Sequence, residues 1–455
     1  MTLDEFAGEP TGEADEPHER IVCHVDMDCF YAACERLREP ELEGEPVVVG
    51  MGYEPGDTAG AVATASYEAR EYGVESAQAI STALERLPRR ADHPDDPDAG
   101  HYRPVDMDYY ESVAEDVKAV LHDVADVVRE VSIDEAYLDV TDRTDWTVAE
   151  GFGRHVKDRI RREVGVTASV GIAPTMSAAK VASDYDKPDG LVVVPPAGLR
   201  EFLAPLPVEE LHGVGPVTAG ELRDMGIETA GDLAAADRTT LEETFGERGA
   251  TLHDRARGID DRSVKPRGDP KSLSRESAFA ESTTDADAIR TRVQDLAADV
   301  ADRARRKGAL YRTVGVKVVT PPFQVNTRER SLPGPVDDPD LVASIALDLL
   351  EEFRGEAVRK VGVRVSNLEF AAVDQATLGG WEATSERRPE TGETATNDRR
   401  QEETATERSN AEGTDPDPDD SEGGTAAPTR ADTPAETGRS LGPGQTTLDD
   451  FFEER

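Results

Sequence analysis

From Ile21 to Val25 the chain is almost wholly apolar and then meets Asp26 and Asp28, the pattern of a buried strand that ends in carboxylates. Val47-Val48-Val49 predicts a second short strand, and apolar positions recurring at helical spacing over 106–125 predict a long amphipathic helix. Val127-Val128 and Ala136-Tyr137-Leu138 read as strands around a charged bend, 151–164 as a helix, and Val166 to Ile172 as another buried strand. Strands and helices mixed in this order predict an α+β domain. Residues 188–258 read as short helices around glycine turns. From about 271 the order is strand, helix 284–307, strand pair 311–331, helix 337–353 and strand 359–370, close to a β-α-β-β-α-β unit. Residues 1–20 form an acidic, turn-rich lead. Beyond Gly379 the text is Thr, Glu, Asp, Pro, Ser and Gly until Leu441, which predicts disorder.

At 455 residues, and roughly 100–200 residues per domain, about three domains are expected. No apolar run approaches the ~20 residues of a membrane span. The start of the chain lacks the basic-then-apolar layout of a secretory signal. Cys23, Cys29 and Cys34 match neither a disulfide framework nor a zinc site, so a reduced, cytoplasmic setting is expected. Charge complicates the picture. The net is −44, with only 9 lysines, and such an excess ordinarily argues against a nucleic-acid partner. An acidic, lysine-poor surface also resembles proteins of salt-loving organisms; at about 1 M salt the screening length is ~3 Å, so distant acids hardly repel DNA. Segment 271–372 carries 16 basic and 16 acidic residues, which makes this neutral segment the candidate to lie along DNA.

Two acidic signals carry the chemistry. In His24-Val25-Asp26-Met27-Asp28-Cys29-Phe30-Tyr31 the two aspartates share one strand face. In Ser132-Ile133-Asp134-Glu135 adjacent acids serve one centre only where the chain bends, and strand-like text on each side supplies a hairpin. Taken singly, the first reads more readily as a strand end turning into solvent and the second as a charged turn. Together, carboxylates from two apolar strands suit a hard divalent cation, and two such ions clamp the attacking and leaving oxygens of a phosphoryl displacement.

These stretches, with Gly60-Ala61-Val62-Ala63-Thr64-Ala65-Ser66-Tyr67-Glu68-Ala69-Arg70, closely resemble the Y-family DNA polymerases from about Ile21 to Phe370. The resemblance implies a right-handed polymerase: palm (21–30 and 98–187), fingers (31–97), helical thumb (188–258), linker (259–270) and a β-α-β-β-α-β little finger (271–375), then a disordered acidic tail (376–440). It implies low-fidelity, translesion addition of deoxynucleotides to a primer 3′-hydroxyl, without proofreading, by a monomer using two Mg²⁺ ions. The implied metal ligands and catalytic acids are Asp26, Asp134 and Glu135, with the Met27 carbonyl assisting; Asp28 fits the motif but is not expected to ligate. Tyr31 falls where a ring excludes the 2′-hydroxyl. Phe30, Thr64, Tyr67, Arg70 and Lys187 fall at nucleotide-binding positions. Glu75 to Ile80 lacks the proline usual in the family's loop over the nascent pair, which leaves lesion preference open.

Leu211-His212-Gly213-Val214-Gly215-Pro216 resembles a helix-hairpin-helix, with Gly213, Val214 and Gly215 offering backbone N–H groups to a DNA phosphate; His212 replaces the usual proline. Arg303, Arg305, Arg306 and Lys307 end a helix, where they suit either the helix dipole or the DNA backbone. Within the last segment (441–455), Gln445, Leu448, Phe451 and Phe452 resemble a sliding-clamp-binding peptide whose apolar residues gather on one helical turn. Expected partners are primed template DNA, dNTPs and the clamp, with no membrane. Two other readings stay open on the residues alone: a catalytically silent scaffold on DNA, and a palm-type nucleotidyl cyclase.

Overall fold

The computed structural model describes residues 20–370; the acidic lead through residue 19, the acidic tail and the Gln445–Phe452 peptide lie outside them. Among the described residues there are twelve strands: β1 (Val22–Met27), β2 (Val47–Met51), β3 (Ala61–Ala65), β4 (His101–Pro104), β5 (Val127–Glu130), β6 (Glu135–Asp139), β7 (Ala168–Ala173), β8 (Leu191–Val193), β9 (Ser272–Thr283), β10 (Ala309–Thr320), β11 (Gln324–Val336) and β12 (Val358–Phe370). They form three sheets, ordered β5-β6-β1-β7-β8, β3-β2-β4 and β11-β10-β12-β9.

Every residue of β1 is buried, because helices cover both faces of the first sheet. Period-two alternation sorts the strand. Cys23, Val25 and Met27 join a core with the helices Met107–Val124 and Ala149–Glu163. Val22 turns to the other side, towards helix Met176–Tyr185. His24 and Asp26 share that second face. The second core continues from that helix into the short helices between Leu199 and Ala256.

The expected elements appear with two shifts. Leu191–Val193, read as the start of the helical segment, pairs in parallel with β7 and completes the first sheet. Its shortness hides it: a three-residue strand within the four positions between Gly190 and Pro195 gives no usable periodicity. Likewise β4, beyond the expected end of the fingers at 97, pairs in parallel with β2. The 272–370 segment is a four-stranded antiparallel sheet under helices Ala286–Arg306 and Pro339–Leu350, in β-α-β-β-α-β order.

The segment joining the helices to this last sheet is tied down by arginines. Arg20 donates to the carbonyls of Pro174 (3.1 Å), Asp260 (2.7 Å) and Arg262 (2.7 Å). Arg267 donates to Val131 O at 3.0 Å, and Arg129 to Lys265 O at 3.4 Å. The linker therefore rests against the β5–β6 hairpin.

Candidate active site

The two acidic signals meet because β1 and β6 are antiparallel neighbours with Asp26 directly opposite Glu135. Residues opposed across strands project from the same face, here the face covered by helix Met176–Tyr185. The bend between β5 and β6 brings Asp134 alongside. Ser132 shapes it: its Oγ accepts from the Glu135 N–H (3.1 Å), while its hydroxyl donates to the Asp134 carboxylate. The Met27 N–H donates to the Asp134 carbonyl at 2.9 Å, pinning the hairpin to β1.

Two lysines hold the acids together. Lys180 Nζ lies 2.9 Å from both Asp26 Oδ2 and Glu135 Oε2. Lys187 Nζ lies 2.7 Å from Asp26 Oδ1 and 2.8 Å from Asp184 Oδ1. Burial pushes the Asp26 and Glu135 carboxyls upward, but the ammonium groups, and for Glu135 the His24 ring, outweigh it and leave both below the carboxylate range. Asp134 lacks such a partner; partial burial and the nearby Asp26 charge push it up to about 6. Burial alone would lower the Lys180 ammonium, yet Asp26, Glu135 and Asp184 drive it well above its usual value. Among the described residues, no three acid, imidazole or thiol groups already stand as a cation cage.

Lys180 is absent from the sequence reading, although a signal existed. It stands seven residues before Lys187 in a chain with 9 lysines, on helix Met176–Tyr185, and Lys187 follows two residues beyond the helix end. The His24 ring is buried between Ser183 Oγ (Nδ1, 2.8 Å) and Glu135 Oε2 (Nε2, 3.4 Å).

Asp28 does not join this face. Its oxygens accept from Ser169 Oγ (2.8 Å), the Asp189 N–H (2.8 Å) and Tyr67 OH (3.3 Å), a structural knot between the end of β1, β7 and the chain that follows β3. Tyr67 and Arg70 share helix Tyr67–Glu71, with the guanidinium 4.6 Å from the ring centroid and Nε on Ala65 O. Thr64 sits on β3 opposite Val49. Phe30 is buried in the first core. Tyr31 stacks on Tyr110, with ring centroids 4.7 Å apart.

At the glycine turn Gly213 adopts φ +95°, a conformation open to glycine, and a Cβ there would stand 2.5 Å from the Arg255 guanidinium. Arg255 and Arg248 donate to the His212 and Gly213 carbonyls, both at 2.8 Å. Gly215 caps the helix Pro216–Asp224. The Val214 N–H is used within the turn, on Leu211 O. Arg303, Arg305 and Arg306 close helix Ala286–Arg306, followed by Lys307. A second basic surface escaped the sequence reading: Lys317, aligned with Gly362 and Glu276 across three strands, and Lys360, both paired to Glu276 on the sheet face away from the helices. Only strand register places them together.

Comparison with known proteins follows this geometry. Residues 25–184 match the impB/mucB/samB family, 196–227 its helix-hairpin-helix motif and 270–378 its C-terminal domain. The chain is 66% identical over 375 residues to DNA polymerase IV of Halobacterium salinarum, covering 82% of this chain and 91% of that protein. It is 43% identical over 360 residues to DNA polymerase IV of Methanoculleus marisnigri, covering 79% and 97%. Among solved structures, a Y-family DNA polymerase chimera matches with TM-score 0.68 at 28% identity, covering 77% of this chain and all of that one. DinB from Sulfolobus solfataricus matches with TM-score 0.53 at 27% identity and the same coverage.

Proposed function

The chain belongs to the impB/mucB/samB family of Y-family DNA polymerases, and we propose that Asp26, Asp134 and Glu135 form the centre at which it lengthens a primer strand. The enzyme is a DNA-directed DNA polymerase of the low-fidelity, translesion type. The observation that carries the assignment of the centre is the cross-strand pairing of Asp26 with Glu135, with Asp134 at the adjoining bend.

The donor set fits a hard divalent cation: three carboxylates and the Met27 carbonyl, all oxygen. Bound there, two Mg²⁺ ions would supply charge neutralisation and activation of the primer hydroxyl. The protein groups do the rest by position and charge. Lys180 and Lys187 keep like-charged acids close together. Tyr67, Arg70 and Thr64 offer donors to triphosphate oxygens from the fingers segment, with Lys187 from the opposite side. Tyr31 presents its ring where a 2′-hydroxyl would clash.

Asp134 must be ionised to ligate. With its carboxyl at about 6, the ligating fraction drops about tenfold from pH 7 to pH 5. Mn²⁺ binding to the nucleotide-free protein is expected to weaken by about that factor. Asp134→Asn should bind weakly with a flat profile over that range.

The turn at 211–215 and the lysine-bearing sheet face are proposed to hold the DNA backbone, with Arg303 to Lys307 contributing at the helix end. The peptide Gln445, Leu448, Phe451 and Phe452 is proposed to recruit a sliding clamp to an otherwise monomeric enzyme. Deleting 445–455 should leave single-nucleotide insertion unchanged and remove clamp-stimulated extension; undiminished clamp stimulation refutes it. Primer extension by the purified chain with Mg²⁺ and dNTPs tests the whole reading, since neither a silent scaffold nor a nucleotide cyclase lengthens a primer.

A further inference from the structure

Tyr31 and Glu35 lie one turn apart on helix Phe30–Arg38. Tyr110 comes from helix Met107–Val124 and meets both. Its ring lies nearly parallel to that of Tyr31, at 17°, and its hydroxyl donates to Glu35 Oε1 at 2.6 Å. All three side chains are buried, Tyr110 completely. The result is a closed triangle: two residues of one helix grip the third, by ring contact and by a charge-assisted hydrogen bond.

The rest of the setting is equally packed. Phe30 closes on Tyr31 with centroids 6.1 Å apart, and Tyr109 on Tyr110 at 6.0 Å. Arg38 stands 4.0 Å from the Tyr109 centroid, 4.0 Å from Glu35 Oε1 and 2.7 Å from Asp106 Oδ2. Burial, with the Glu35 carboxylate, raises the Tyr110 hydroxyl far above its usual value, so it stays a donor at any working pH. The Tyr31 ring therefore cannot retreat through the Tyr110 ring, and Tyr110 cannot tilt without stranding the buried Glu35 side chain.

We infer that Tyr110, locked to Glu35, is a positioning residue that fixes the Tyr31 ring and so sets how strongly the enzyme refuses ribonucleotides. The inference rests on the reading of Tyr31 as the group that meets the sugar. A gate discriminates by shape only as far as it cannot yield; a tyrosine free to shift by ~1 Å would admit one extra oxygen.

The test is single-turnover insertion of dCTP and rCTP by the full chain, comparing the ratio of their kcat/KM values. Tyr31→Ala should lower the ratio by about 100-fold or more, as loss of the gate itself. Tyr110→Leu should lower it by about 10-fold while dCTP insertion stays within about threefold of wild type. Tyr110→Phe keeps the ring and should lower the ratio by about threefold. Glu35→Gln retains an acceptor oxygen and should match wild type, whereas Glu35→Ala should resemble Tyr110→Phe. The double variant Tyr31→Ala with Tyr110→Leu should discriminate no worse than Tyr31→Ala alone, because the second residue acts through the first. A wild-type ratio in Tyr110→Leu beside a loosened Tyr31→Ala overturns the inference, as does a fully additive double variant. Should Tyr31→Ala keep the ratio, the gate reading itself falls.

Discussion

Exchanging Asp134 and Glu135 together for alanine is expected to reduce primer extension by at least about 1,000-fold, equivalent to about 4 kcal/mol of transition-state stabilisation. The site explains the size of the loss. Glu135 shares the Lys180 ammonium with Asp26, at 2.9 Å each, and Asp134 is the acid without an ammonium partner. Removing both leaves Asp26 and Asp184 matched one for one by Lys180 and Lys187, so the centre loses the excess negative charge that would hold the cations the reaction needs. Primed-DNA affinity should stay within about threefold of wild type at equal salt, because the proposed DNA contacts lie elsewhere. Single-turnover extension with a parallel DNA-binding titration reads both quantities. Extension above about one tenth of wild type removes these acids from the centre of the chemistry.

Gly171→Ala should be among the most damaging single-methyl changes in the chain. Gly171 lies on β7 opposite His24 of β1, on the face that helix Met176–Tyr185 crosses. A Cβ built there would stand 2.1 Å from the Ala179 carbonyl oxygen and 2.2 Å from the Ser183 nitrogen. Both are backbone atoms of the helix, so no side chain can swing away. Either the helix lifts or the strand bends, at a cost at or beyond the upper end of the ~1–3 kcal/mol typical of overpacking. The same helix carries Lys180 and Ser183, the partners of the acids and of His24. The variant should melt several degrees lower and lose insertion rate even where it stays folded. Gly151→Ala, on an exposed helix position with nothing within 4 Å, should match or slightly exceed wild-type stability. Equal melting of Gly171→Ala and wild type would contradict the packing described.

Much of the fold is legible in the sequence, for identifiable reasons. Strand β1 is recognisable because both its faces are covered and its apolar run is unbroken to Asp26. The β-α-β-β-α-β segment is recognisable because each helix is amphipathic and each strand long, up to 13 residues. The hairpin at Ser132 to Glu135 follows from two adjacent acids between apolar runs. Other features depend on pairing between distant segments. Strand β8 is too short to show a period. Lys180 looks like any helical lysine until β1 and β6 are laid side by side beneath it. The Lys317, Lys360 and Glu276 grouping exists only through the register of three strands. The Val214 N–H, offered to phosphate on the glycine spacing, is engaged within its own turn, a detail that local geometry alone decides.

The grip of Arg20 on the carbonyls of Asp260 and Arg262 has a practical consequence for anyone dissecting this enzyme. A truncated catalytic piece that stops at Gly258, where helix Glu247–Ala256 has just ended, would strip two acceptors from the guanidinium and leave Ser177 N–H without the Asp260 carboxylate. Extending the cut past Arg262 keeps both. Minimal fragments of this polymerase should therefore be bounded by Arg20 at one end and by a residue beyond Arg262 at the other, well inside what looks on paper like a dispensable connector.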